Sequence, residues 1–253
     1  MSLIDTHTHL YSEQFKDDRH EMVQRALASG LELMLLPNID LDSVGPMHAL
    51  EDAFPTALRS MMGLHPGSVE ADWQEVLDLL HPWFDKRSYV AVGEIGIDLY
   101  WRQDNLPEQE QAFLQQVQWA LELDLPVVIH SRERCSLILD LLADLPVRGV
   151  FHCFTGTPEE ARRIIKRGMY VGIGGVLSYK ANQPLRDLFA NIDRSRVLLE
   201  TDAPYLAPVP YRGKRNESAY LNQVAETLAD CWQISTAEVA AITSANARQL
   251  FRL

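Results

Sequence analysis

Apolar runs of strand length recur along this chain, alternate with stretches of helical periodicity, and repeatedly end in a histidine or a carboxylate. The runs occupy 3–6, 31–37, 57–64, 89–95, 126–130, 149–152, 170–174 and 197–200. Near-continuous Val, Ile and Leu in several of them indicates strands buried on both faces, which means a parallel sheet covered by helices. The helical stretches between them include 18–28, 73–84, 108–123, 135–142, 158–167 and 184–189. One helix start is sharply marked: Thr157 as cap, Pro158 in the first turn, then Glu159 and Glu160 toward the positive end of the helix dipole. Ser235-Thr236-Ala237-Glu238 repeats the capping-box spacing.

Eight strand–helix units in 253 residues match an α/β fold of one kind, the (β/α)8 TIM barrel, whose strand ends converge on a single rim. The segment 216–253 then supplies the eighth helix and an extra C-terminal helix. No linker-like tract divides the chain, so 1–253 is expected to be a single barrel domain. A doubly wound open sheet would need a glycine-rich phosphate loop after the first run. His7-Thr8-His9 stands there instead.

A strand that stays buried has no use for a polar terminus, so run after run ending in one implies a shared site. The terminal motifs are Asp5-Thr6-His7-Thr8-His9, Gly63-Leu64-His65-Pro66, Gly93-Glu94-Ile95-Gly96, His130-Ser131-Arg132, His152-Cys153-Phe154 and Glu200-Thr201-Asp202. His7 and His9 lie two apart on an extended segment, so their rings face the same way and can chelate one divalent ion. His130, His152 and Asp202 join them as candidate metal ligands. Glu94 is expected at the end of the fourth strand. Its flanking Gly93 and Gly96 let the backbone come close to other groups, and its two oxygens can bridge two cations. No lysine stands near a run end before Lys180, which excludes a carbamylated lysine as the bridge.

The formal charge of −12 argues against a protein that coats nucleic acid non-specifically, though not against a nuclease. One basic cluster, Tyr211-Arg212-Gly213-Lys214-Arg215-Asn216, stands apart from that balance. Three dispersed cysteines without a CxxC pair point to a reducing compartment rather than a disulfide framework. No basic leader precedes the first motif, and no apolar stretch nears the ~20 residues of a membrane span. A cytoplasmic protein with no membrane contact and no obligate protein partner is expected.

The chain resembles the TatD family of metal-dependent deoxyribonucleases, a branch of the amidohydrolase-like barrels. The resemblance rests on Ile4 to His9, Gly63 to Pro66, Val92-Gly93-Glu94-Ile95-Gly96-Ile97-Asp98, Leu125 to Arg132, Phe151-His152-Cys153-Phe154-Thr155-Gly156, Leu199 to Leu206 and Arg212 to Glu217, in the family's order. Thr243 and Asn246-Ala247 to Phe251 resemble its closing helix. It implies that His7, His9, Glu94 and Asp202 hold one metal, and Glu94, His130 and His152 the other. Zinc, manganese, nickel or magnesium would suit such mixed donors. Ser218 stands where the family usually has proline, and Leu99 where it often has an aromatic; both departures fall on rim loops, which bear on substrate preference.

A two-metal site activates a bridging water and steadies the attacking and leaving oxygens of an in-line displacement. Asp202 is then the candidate general base, and Glu94 the catalytic bridge. His65 is suited to touch a phosphate oxygen or protonate a leaving group. Arg132, Lys214 and Arg215 are candidates to grip flanking phosphates, and Tyr205, Tyr211 and Trp101 to stack on bases. The expected substrate is a single-stranded or frayed DNA 3′ end, cut by a 3′–5′ exonuclease-type phosphodiester hydrolysis. The same chemistry would serve a metal-dependent esterase or amidohydrolase, such as a D-aminoacyl-tRNA deacylase. A barrel that had lost catalysis and only bound partners would be missing ligands, and none is missing here.

Overall fold

The computed structural model describes residues 2–100 and 103–253. Strands β1 (Leu3–Asp5), β2 (Leu31–Leu36) and β3 (Leu58–Ser60) pair in parallel in that order. So do β4 (Val92–Asp98), β5 (Val127–Arg132), β6 (Gly149–Phe151), β7 (Tyr170–Ile173) and β8 (Val197–Leu199). Two links close these sheets into one ring. A parallel bridge joins Met62 to Val92, and the Thr6 N–H donates to Leu199 O at 3.0 Å. The result is the TIM barrel that the alternating pattern implies.

Around the strands run α1 (Arg19–Ala28), α2 (Leu41–Ala53), α3 (Trp73–Leu80), α4 (Leu106–Glu122), α5 (Cys135–Leu141), α6 (Pro158–Lys166), α7 (Gln183–Ala190), α8 (Leu221–Trp232) and α9 (Thr236–Phe251). The two sequence-marked starts are both capping boxes: Thr157 with Glu160 opens α6, and Ser235 with Glu238 opens α9. Helix α2 lies in a stretch that apolar spacing leaves unassigned, because Gly45 and Pro46 sit inside it; a capping box of Asp40 and Ser43 starts it. Where a helix over 73–84 is expected, α3 ends at Leu80 and a 3-10 turn, His81–Asp85, follows. Pro82 there lacks the N–H that an α-helix would need.

Two apolar layers form. The outer one lies between strands and helices. The inner one takes Ile4, Leu33, Leu35, Met61, Ala91, Val128, Val150, Tyr170 and Leu198 from around the ring, with Ala247, Leu250 and Phe251 of α9 packed against them. Strand side chains alternate faces, so two residues beyond Val128, Val150 and Leu198 the same inward face presents His130, His152 and Glu200. The barrel interior is thus apolar where α9 plugs it and polar at the C-terminal rim.

The third run extends to 64 in sequence, yet β3 stops at Ser60. Its ladder with β2 ends there, and the chain is then taken up by the Met62–Val92 bridge. Glu94 is the third residue of a seven-residue β4, not its end as expected; Asp98 ends the strand. Among the described residues no helix is long and apolar enough to cross a membrane.

Candidate metal centre

Glu94 reaches the middle of the rim because Gly93 before it and Gly96 two residues after it have no side chains. A Cβ on Gly93 would come within 2.7 Å of Val128 Cβ, and one on Gly96, at φ +149, within 1.9 Å of the His130 carbonyl oxygen. Either would force β4 away from β5. The Glu94 backbone is held from the other side, its N–H donating to Asn38 O while the Asn38 N–H donates to Gly93 O, each at 3.1 Å. Asp202 follows β8 in a left-handed conformation (φ +55), which aspartate tolerates better than most residues. Its N–H donates to His7 O at 2.9 Å.

The two oxygens of Glu94 face two different groups of histidines. Oε2 lies 3.1 Å from His7 Nε2 and 3.6 Å from His9 Nε2. Oε1 lies 2.7 Å from His152 Nε2, 2.9 Å from His130 Nδ1 and 3.5 Å from His65 Nε2. Asp202 Oδ1 belongs to the first group, 3.5 Å from His9 Nε2 and 3.8 Å from His7 Nε2. Among the described residues, three overlapping triads are compact enough to hold an ion: His7, Glu94 and His152; His7, His9 and Asp202; His65, Glu94 and His130.

Divalent metal fits these residues. His7 Nε2 and His9 Nε2 meet head-on at 3.3 Å, as do His130 Nδ1 and His152 Nε2. Two imidazole lone pairs at that distance repel unless a proton or a cation lies between them. The donors, nitrogen and carboxylate oxygen, are those of zinc-class and manganese-class ions.

The electrostatics carry the same tension. Burial alone would raise the Glu94 carboxyl, but His152, His7 and His65 outweigh it and hold it well below the usual range. Burial lowers His7 and His65. It also works against charge on His130 and His152, yet Asp98 and Glu94 carry the first upward, and Glu94 and Glu200 carry the second well up. Loading the site with metal would therefore displace protons.

Several supporting residues have no role in the sequence reading. Asp98 Oδ2 lies 2.9 Å from His130 Nε2 and orients that ring. Glu200 Oε1 accepts the Cys153 N–H at 2.5 Å and lies 3.5 Å from His152 Nδ1. A Cβ on Gly172 would come within 2.2 Å of Glu200 Oε2. The Tyr11 hydroxyl is 3.0 Å from His9 Nδ1. Their sequence signal is faint: Asp98 closes the segment that begins at Val92, Glu200 opens the motif that ends in Asp202, and Tyr11 follows His9 by two.

A cleft of about 540 Å³ opens beside the ligands, bordered by His130, His152, Asp202, Arg132, Arg134 and Leu206 among others. Arg132 lies over the Tyr100 ring at 3.7 Å. Tyr205 is half exposed, its ring 6.3 Å from that of His9. Lys214 is exposed on a turn closed by its N–H to Tyr211 O. Arg215 differs from that picture, because its guanidinium forms two 2.7 Å bonds to Asp18, donates to Gln14 O and covers the Phe15 ring. Gripping a phosphate would mean breaking that set. Tyr211 stacks on Tyr220 at 3.8 Å. Trp101 lies outside the described residues.

The whole arrangement, from residue 4 to residue 252, matches the family described as TatD related DNase. The chain belongs to the TatD family. It is 33% identical to the uncharacterized metal-dependent hydrolase YabD of Bacillus subtilis, with 99% of each chain covered. It is 35% identical to the 3′-5′ ssDNA/RNA exonuclease TatD of Salmonella typhimurium, again over 99% of each. The crystal structure of the TatD homologue YjjV from Escherichia coli superposes with a TM-score of 0.92 at 29% identity, covering 99% of this chain and 98% of that one. An amidohydrolase from Saccharomyces cerevisiae, 17% identical, shares the fold over 99% of this chain and 100% of its own at a TM-score of 0.84.

Proposed function

We propose that this metal-dependent hydrolase of the TatD family, acting as one barrel unit over 1–253, cleaves phosphodiester bonds from the 3′ end of single-stranded nucleic acid at a two-metal site. The observation that carries the reading is the division of the ligands by Glu94, one carboxylate oxygen to each group, at the edge of a cleft bordered by Arg132. The Salmonella relative's described activity, at 35% identity over nearly the full length, supports the choice of substrate.

Two divalent ions, when bound, supply the charge that acidifies a water and offsets the negative phosphate. His7, His9, Glu94 and Asp202 would hold one, and Glu94, His130 and His152 the other. The chain's own residues do the rest. Asp202, whose side chain is 14% exposed against 3% for Glu94, stands at the open side and takes the water's proton. His65, beside His130 in the group that faces Glu94 Oε1, reaches the phosphate oxygens or the leaving oxygen. Arg132 meets the next phosphate and Lys214 a more distant one, while Tyr205 offers its face to a base.

The test is a substrate panel with metal-reconstituted protein: single-stranded DNA and RNA with free or blocked 3′ ends, duplex DNA, aminoacyl-tRNA and simple esters. Mononucleotides should appear from free 3′ ends and stop appearing after chelation. Deacylation of aminoacyl-tRNA with the oligonucleotides left whole would overturn the reading in favour of ester or amide hydrolysis.

A further inference from the structure

We propose that Tyr11 is a positioning residue of the metal centre: it fixes the tautomer of His9 and ties that ring to the segment that holds Glu94. The inference rests on the two-metal reading above. Tyr11 is buried, with its hydroxyl 3.0 Å from His9 Nδ1 and 2.5 Å from Pro37 O. A carbonyl oxygen can only accept, so the single phenolic proton goes to Pro37 O. The phenol oxygen then has only lone pairs to offer His9, and Nδ1 must be the nitrogen that carries the proton. His9 Nε2 is left with its lone pair directed among Glu94 Oε2 at 3.6 Å, Asp202 Oδ1 at 3.5 Å and His7 Nε2 at 3.3 Å. That is the tautomer in which Nε2 can bind a cation.

The acceptor matters as much as the donor. Pro37 is followed by Asn38, whose N–H and C=O clasp Gly93 and Glu94. One hydroxyl therefore couples a ligand beyond β1 to the bridging carboxylate in β4, across the polar mouth of the barrel. The other rings are supported differently: His130 leans on Asp98, and His7 Nδ1 has no hydrogen-bond partner among the described residues.

Tyr11→Phe keeps the buried ring and removes only the oxygen. The full chain, stripped of metal, is titrated with Mn²⁺ and the bound ions are counted by electron paramagnetic resonance. Histidine tautomers are assigned by NMR on 15N-histidine-labelled protein before any metal is added. In the unsubstituted protein His9 should carry its proton on Nδ1, a result that does not depend on the variant folding. In Tyr11→Phe one of two Mn²⁺ equivalents should weaken about ten- to a hundred-fold while the other keeps its affinity, and His9 should become a mixture of tautomers. An Nε2-protonated His9 in the unsubstituted protein, or two undiminished equivalents in the variant, would overturn the proposal. A lower melting temperature with both affinities intact would overturn it too, leaving Tyr11 a packing residue. Since no readout uses a substrate, a wrong substrate assignment leaves the result standing, whereas an unsubstituted protein that takes up no Mn²⁺ would end the metal reading along with the proposal.

Discussion

Asp202 and Glu94 are both carboxylates among histidines, yet they are placed differently. Glu94 is sealed beneath the rings, while Asp202 stands at the mouth on a left-handed backbone position. Asp202→Asn preserves the side chain's shape and removes its ability to take a proton. The expected outcome is an unchanged far-ultraviolet circular dichroism spectrum with turnover reduced about 10²- to 10⁴-fold. Steady-state kinetics on a single-stranded oligonucleotide would check it, and near-normal turnover would remove Asp202 from the role of base. The clustered His, Glu and Asp side chains were legible in the sequence as candidate ligands because each interrupts or closes an apolar run, which a buried strand otherwise has no reason to tolerate. Asp98, Glu200 and Tyr11 were not, since their roles depend on what they meet: Asp98 matters for a histidine 32 residues away. Arg215 shows the converse. A basic loop suggested phosphate contact, and the fold supplied Asp18 as its partner.

At the level of elements, two helix starts were legible because their chemistry is local and stands at the head of a recognisable apolar stretch, which the Asp40–Ser43 box of α2 does not. Thr157 and Ser235 find their glutamates three residues on, so no tertiary contact is needed to place α6 or α9. The loop after β8 is another matter. It is clamped to α1 and its cap by Arg25 on Glu217 and by Arg215 on Asp18, while Arg25 also reaches Asp18 at the head of its own helix. The arginines, Arg215 foremost, hold the Asp18 carboxyl well below its ordinary value. A carboxylate depressed in this way stabilises the fold above its unfolded pKa, about 3.9, and loses that contribution as pH falls through the folded value. Asp18→Asn should lower the melting temperature by roughly 1–3 °C, since the pair is partly exposed. The difference should stay constant from pH 5 to 8 and shrink progressively below about pH 4. A difference that persists undiminished far into acid would mean that packing, not charge, holds the clamp.

At the scale of the whole molecule, the barrel must be sealed at the end away from the site, and α9 does it. Leu250 and Phe251 complete the inner layer that the strands begin. Phe251→Ala should cost about 3–5 kcal/mol, read as a lower urea midpoint with little change in slope. A loss below about 1 kcal/mol would mean that α9 merely rests on the base. The sequence by itself determined the repeating strand–helix order, the capping boxes of α6 and α9 and the types of the candidate ligands, because each is written in the spacing of neighbouring residues. Only the tertiary structure decided that Glu94 sits within its strand rather than at its end, that its two oxygens divide the histidines, and that Tyr11 meets His9 and Asp98 meets His130. Those facts are distances between side chains that come from different strands, and closing the ring is what brings them together.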